Sequence, residues 1–267
     1  MRVVTWNVNS LKMRMGRILQ FAEQHAPDVM CLQETKANPG AFPELELAAA
    51  GYRGVHHSGG RWAGVALLAR EGLSLSDPVL SLPGDVAPEE ARWCEATIDG
   101  IRFASVYVPN GRSPDHPEFP RKLAFLDAMA ARIARLREDS PGGVIVAGDF
   151  NIAPADADVY DPAAFVDSTH VTAEERGRLQ RMLDGGMVDA YRALHPEDVQ
   201  YTWWDYRAGH FHKGLGLRID LVLVSRSGDL EKRMESCGID RNFRKGTKPS
   251  DHAPLILHLV EEDGSRA

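Results

Sequence analysis

Short apolar runs alternate with amphipathic stretches along the whole chain. Residues 3–6, 29–32, 65–69, 103–108, 144–147, 221–224 and 255–259 each read as a strand. Several are apolar at successive positions, the pattern of strands covered on both faces. Between residues 119 and 137, apolar side chains recur at Phe119, Leu123, Leu126, Ala130, Ile133 and Leu136. Steps of three and four predict a helix with one buried stripe. Thr172 and Glu175 form a Thr-x-x-Glu capping box ahead of Leu179, Met182 and Leu183, which predicts a second helix. The Pro/Gly-rich stretches 109–120 and 141–143 read as connectors. With no fixed-period repeat and no break in composition, the expectation is one α/β domain over 1–260, followed by a tail at 261–267.

The polar residues that end these runs carry the chemistry. One strand ends in Asn7 and Asn9, the next in Gln33 and Glu34, and another in Tyr107, Asn110 and Arg112. A fourth ends in Asp149 and Asn151; Asp220 opens a strand, and Asp251 and His252 precede the last one. A lone Asp at a strand end is usually a turn or cap residue. So many carboxylate, amide and imidazole termini point instead to one crevice at the edge of a rigid sheet. Glu34, Asp149 and Asp251, with Asn7 and Asn151 as neutral ligands, make an oxygen set suited to Mg²⁺ or Mn²⁺. Zinc is disfavoured, because the cysteines are dispersed and no HExxH or CxxC occurs. A hard cation beside a His–Asp pair suits phosphate-ester hydrolysis. The absence of GxxxxGK[ST] argues against nucleotide-dependent phosphoryl transfer. His56, His57, His210 and His212 read as surface residues.

Composition narrows the setting. The 267-residue chain is 43% apolar and 26% charged, which excludes wholesale disorder. No run approaches the ~18 apolar residues of a membrane span. The N-terminus turns polar too early for a signal peptide, and three scattered cysteines fit a reducing cytosol. The net charge of −7 argues against a polyanionic partner only until it is located. Residues 201–250 hold ten Lys/Arg against six acids, so this stretch is +4 and the remainder −11. Four of the cations, Arg241, Arg244, Lys245 and Lys248, fall within eight residues.

Read together and in order, WNVNS, LQETK, YVPNG, GDFNIAP, YTWWDYR, LRID and SDHAP resemble the exonuclease III family. These are Mg²⁺-dependent apurinic/apyrimidinic endonucleases of the endonuclease/exonuclease/phosphatase superfamily. The resemblance runs from residue 1 to about residue 260. It implies a four-layered α/β sandwich (α+β), two packed mixed sheets flanked by helices. It also implies a monomeric, cytoplasmic, nucleoid-associated DNA-repair nuclease that cuts 5′ to abasic sites in duplex DNA. Exonuclease action from the 3′ end and removal of 3′ blocking groups accompany this in the family.

Carried over motif by motif, Asn7, Glu34 and Asp251 would hold the metal, together with Asp149 and Asn151. Asp149 would orient or deprotonate water, Asn151 would stabilise the transition state, and His252 would bind phosphate or act as base. Asp220 would orient the His252 ring, and Tyr107 would contact the phosphate or tune nearby pKa values. Asn110, Arg112, Trp203, Leu217 and Lys248 would meet DNA, with Ile219 beside Trp203 and Leu217 in the apolar sugar pocket. The chain departs from the pattern at Asn9, where many relatives carry an acid that serves a second metal position. It also lacks the long N-terminal redox extension of vertebrate relatives. The alternative reading is a phosphoesterase of the same superfamily acting on a lipid or inositol phosphate. A DNA-binding protein that has lost catalysis is disfavoured because Glu34, Asp149, Asn151 and His252 are all intact.

Overall fold

The computed structural model describes residues 1–260; the tail expected at 261–267 lies outside them. The first sheet is built on β1 (Arg2–Asn7), α1 (Leu11–His25) and β2 (Val29–Gln33), a parallel β–α–β unit. Ser10 caps α1 by accepting from the Met13 amide, and Leu11, Ile18, Phe21 and Ala22 form its buried stripe. The helix ends at Ala26, in the left-handed region (φ 42°), just before Pro27. After α2 (Glu44–Ala49), β3 (Tyr52–His57) and β4 (Val65–Arg70) pair antiparallel and join β2. The chain's last strands, β11 (Met234–Ile239) and β12 (Leu255–Leu259), complete the order β11-β12-β1-β2-β4-β3.

The second sheet repeats this plan. β5 (Leu75–Val79) and β6 (Trp93–Ile98) lead into β7 (Ile101–Tyr107), α3 (Glu118–Asp139) and β8 (Val144–Asp149), again a parallel unit. α4 (Ala173–Asp184) precedes β9 (Met187–Asp189), α5 (Ala190–Leu194) and α6 (His210–Lys213). β10 (Asp220–Ser225) then pairs with β8, giving the order β5-β6-β7-β8-β10-β9.

Both central strand pairs are apolar on two faces because each face has its own cover. Val3, Cys31, Leu67, Phe103, Ile145, Val222 and Leu257 meet between the sheets. Val4, Trp6, Met30 and Leu32 pack under Ile18 and Phe21 of α1. Val106, Val146, Leu221 and Leu223 pack under Phe125, Met129 and Ile133 of α3 and Leu179 and Met182 of α4. Each such fully buried side chain contributes about 1.5–3 kcal/mol. The result is helix, sheet, sheet, helix, the four-layered sandwich.

The structure adjusts two readings. The buried stripe of α3 runs through Phe119, Lys122, Phe125, Leu126, Met129, Ile133 and Leu136; Leu123 and Ala130 sit at its margin. A lysine therefore lies on the buried face. The capping box of α4 is present, with the Thr172 hydroxyl accepting from the Glu175 amide and the Glu175 carboxylate accepting from the Thr172 amide. Glu175 is nevertheless fully buried, so it does more than cap. No helix among the described residues is long and apolar enough to cross a membrane.

Candidate active site

The C-terminal ends of the two parallel units converge. In β1 and β2, Asn7 lies opposite Gln33, and Glu34 follows. In β7 and β8, Tyr107 lies opposite Asp149, which is also paired with Asp220 of β10. The turns leaving these strands are tight: Glu34 and Asn151 both adopt the left-handed region, each at φ 50°. For non-glycine residues this costs free energy that surrounding hydrogen bonds must offset. Ser10 donates its amide to the Glu34 carbonyl at 2.7 Å, and the Asn151 amide donates to Asp149 Oδ1 at 2.9 Å.

Asp149 and His252 form the centre. Asn7 Nδ2 donates to Glu34 Oε1 at 2.8 Å and to Asp149 Oδ2 at 2.9 Å. His252 Nδ1 donates to Asp220 Oδ2 at 2.8 Å, and its Nε2 lies 3.8 Å from Asp149 Oδ2. Burial pushes Asp149 up to about 7; His252 opposes the shift, and the Asp220 charge adds to it. Burial works to lower His252, but the Asp220 and Asp149 carboxylates outweigh it and hold the ring at about 10. Burial, then the Glu34 and Asp149 charges, keeps the Tyr107 hydroxyl protonated well above its ordinary range. The Ser250 hydroxyl donates to the Asn7 carbonyl at 2.6 Å and accepts from the His252 amide at 3.2 Å. Thr202 Oγ1 accepts from the Ile219 and Asp220 amides, each at 3.1 Å. These two hydroxyls lock the SDHAP and RID segments to their neighbours.

The inferred ligand residues divide. Ligand atoms of Glu34, Asp149 and His252 lie within 4.8 Å of one another. The two carboxylates are a fitting oxygen donor pair for a hard cation, and burial holds Asp149 high despite the neighbouring imidazole. Asp251 stands outside this trio: its oxygens accept from Asn9 Nδ2 at 3.0 Å and Trp203 Nε1 at 3.1 Å. Asn7 turns its nitrogen toward the carboxylates, while its oxygen accepts from the Asn9 amide at 3.0 Å. Asn151 Nδ2 donates to the Val108 carbonyl, and its Oδ1 accepts from Asn110 at 3.3 Å. Lys36 Nζ lies 2.8 Å from Glu34 Oε2 and 2.6 Å from Asn9 Oδ1, placing an ammonium between the WNVNS and LQETK loops.

The inferred DNA contacts are less uniform. Asn110, Arg112 and Lys248 are exposed, and Arg112 (φ 62°) and Lys248 (φ 46°) both sit in strained turns. Of the tryptophan pair, Trp204 is fully buried and Trp203 half-buried. Leu217 needs correction as a direct contact. It is fully buried with Ala153, Val159 and Ile219, because its backbone pairs with Trp203 and Val159 and turns the side chain inward. The basic stretch also shrinks. Arg218 is buried against Asp158 and Asp189, and Arg244 is buried beneath Tyr206 and Phe211.

Two residues went unread in the sequence. The His170 ring donates from Nδ1 to the Asn151 carbonyl at 2.7 Å; burial, reinforced by Lys122, lowers it to about 4 and keeps it neutral. The Lys122 ammonium reaches that same carbonyl at 2.7 Å. Nothing near either residue in the chain marks it, because their partners lie in other loops.

A family model described as the endonuclease/exonuclease/phosphatase family matches residues 4–252. Exodeoxyribonuclease III of Haemophilus influenzae is 31% identical, the match covering 96% of this chain and 98% of that one. The 3′ phosphatase NExo from Neisseria, solved with a product DNA hairpin, is 35% identical with a TM-score of 0.94. The match covers 98% of this chain and 100% of that one. An AP endonuclease from Archaeoglobus fulgidus is 30% identical with a TM-score of 0.91, at the same coverages. The chain belongs to the endonuclease/exonuclease/phosphatase family, in its exonuclease III branch.

Proposed function

We propose that this DNA-repair nuclease hydrolyses phosphodiesters 5′ to abasic sites in duplex DNA and removes nucleotides or blocking groups from 3′ ends, using Mg²⁺. Its relatives carry the names exodeoxyribonuclease III, AP endonuclease and 3′ phosphatase, all activities on a DNA phosphoester. The observation that carries the reading is Asp149, set between a charged imidazole 3.8 Å away and the Asn7–Glu34 pair. Mn²⁺ would serve the same oxygen donors.

Glu34 and Asp149 would hold the cation, with Asp251 available across the Asn9 contact. Bound there, it would offset charge on the phosphoryl oxygens. His252, protonated near neutral pH, suits a phosphoryl oxygen better than a water proton, and Asp220 fixes its ring. Asp149, 3.8 Å from that ring and hydrogen-bonded by Asn7, would then accept the water's proton. Asn151 and Asn110 would donate to the non-bridging oxygens, and Tyr107 would donate its hydroxyl, which burial keeps protonated. Trp203 would form the wall of the sugar pocket, with Leu217 and Ile219 packed behind it. Arg112 and Lys248 would meet the backbone.

The test is a duplex carrying one tetrahydrofuran abasic analogue and a second duplex with a 3′-phosphate. Incubation with Mg²⁺ should nick the first and release phosphate from the second, and EDTA should stop both. No metal-dependent product on either substrate defeats the reading.

A further inference from the structure

Behind Asn110 and Asn151 lies a charge that the reaction itself does not use. Lys122 sits in the second turn of α3 and is fully buried. Its ammonium donates to the main-chain carbonyls of Asn110 at 3.2 Å and Asn151 at 2.7 Å, and to Thr169 Oγ1 at 3.2 Å. It also pairs with the fully buried Glu175 carboxylate in the first turn of α4. Glu175 in turn accepts from the Thr169 hydroxyl, the His170 amide and the Thr172 amide and hydroxyl. The loops leaving β7 and β8 are thereby fastened to each other and to both outer helices through one nitrogen.

The fastening is close. Gly111 adopts φ 80°, and a Cβ there would lie 2.9 Å from Lys122 Cδ and 3.2 Å from the Phe119 ring. The loop after Asn110 therefore lies directly on the lysine stem. Asn151 holds a left-handed conformation, which asparagine tolerates better than other non-glycine residues. An apolar residue at 122 would remove the one donor that both carbonyls share, leaving the two amides to the 3.3 Å Asn110–Asn151 hydrogen bond and the separate Thr169 and His170 contacts.

We propose that Lys122 is a positioning residue: its buried ammonium clamps the Asn110 and Asn151 carbonyls, so that both side-chain amides face one phosphate. The inference rests on the reading that these asparagines meet the substrate phosphate. Removing Lys122 alone would strand the Glu175 carboxylate and confuse function with unfolding. The informative variant is Lys122→Met with Glu175→Gln, which removes both charges, keeps the stem and leaves a capping-box residue in place.

Three quantities decide: the melting temperature, the DNA Kd in EDTA, and kcat on the tetrahydrofuran duplex. The expected result is a folded protein with Kd within about threefold of wild type and kcat lowered about a hundredfold, the scale of a 1 Å misplacement. In an Asn151→Ala background the same two changes should cost far less than a hundredfold, because one of the two amides whose placement the clamp serves is gone. Three outcomes overturn the proposal: kcat preserved in the neutral pair, an undiminished hundredfold loss in the Asn151→Ala background, or a neutral pair that is unfolded at the assay temperature. A wild-type protein that fails to nick this duplex would instead defeat the functional reading.

Discussion

Two of the buried charge clusters among the described residues are solved in opposite ways. In the first, Arg218 is fully buried and bonds Asp158 through Nε at 2.7 Å and Asp189 through Nη1 at 2.8 Å, while Arg192 reaches Asp158 at 2.6 Å. Burial tends to raise Asp158, but the two guanidiniums overcome it and hold the carboxyl below its ordinary value. In the second, Asp149, Asp220 and Glu34 share one imidazole and one partly exposed ammonium, that of Lys36. There burial prevails, and Asp149 rises to about 7. Both clusters border the same strand, β10, with Arg218 and Asp220 two residues apart. A neutralised cluster is a bolt; one left short of positive charge is a receptacle for a cation and a proton.

The sharpest way to break this comparison is to remove a charge from each side. Asp149→Asn should lower turnover by about three orders of magnitude, since it deletes the proton acceptor and a metal ligand together. It should leave the metal-free melting temperature unchanged or raised, because an unneutralised buried carboxylate has been removed. Saturating Mg²⁺ should stabilise wild type by about 2–3 kcal/mol at a hundred times its Kd and leave this variant unmoved. Calorimetry with and without EDTA measures both. A large loss of metal-free stability would place Asp149 among the bolts.

Arg218→Met should do the reverse. It strands Asp189 in the interior and leaves Asp158 with Arg192 alone, a loss of about 3–5 kcal/mol, or about 10 °C in a chain of this size. Activity at a temperature where the variant stays folded should fall far less than for Asp149→Asn. Thermal unfolding beside initial rates at 15 °C separates the two effects.

A smaller consequence is visible in pH. Asp149 has its folded pKa raised, so its contribution to stability is present below about 4 and is lost as pH rises through about 7. Asp158 is depressed, so its contribution is present above the ordinary carboxylate value and is lost as acid protonates it below that. In EDTA, wild type should therefore lose stability relative to Asp149→Asn between pH 4 and 7. Melting curves across that range check the sign, and a difference that stays flat contradicts the receptacle.

The two clusters were not equally legible in the sequence. The site was readable because its residues terminate apolar runs, so that Asn7, Glu34, Asp149, Asp220 and His252 each follow or precede a strand. The bolts were not, because Asp158, Asp189, Lys122 and Glu175 find their partners across loops. The seven strands read from apolar runs lie mostly at the centres of the sheets. The unread β3, β5, β9 and β11 are all sheet edges; solvent-facing residues dilute the apolar signal of β3, β5 and β11, and the buried β9 is only three residues long. The fifth unread strand, β6, is interior but carries Glu95, fully buried and bonded by Trp93, Arg102 and Arg132. A charged residue in a strand reads as surface unless its partner is known. The same blindness affected Lys122 on α3 and the count of surface cations near residue 244.

That count gives the smallest and most discriminating prediction. The 241–248 segment holds four cations in sequence, yet Arg244 is buried, its guanidinium stacked 5.0 Å from the Tyr206 ring centroid and donating to the Trp204 carbonyl. Lys245 and Lys248 are exposed. If these two lysines meet phosphates, Lys245→Gln with Lys248→Gln should reduce the slope of log K against log salt by about 2, with no change in melting temperature. Arg244→Gln should leave the slope near wild type and lower the melting temperature instead, since it removes stacking on two rings and a buried hydrogen bond. Should Arg244→Gln change the slope and the lysine pair leave it alone, the buried guanidinium would have to turn outward to meet DNA. The division between bolts and working charge would then fail at the point where the chain is most basic.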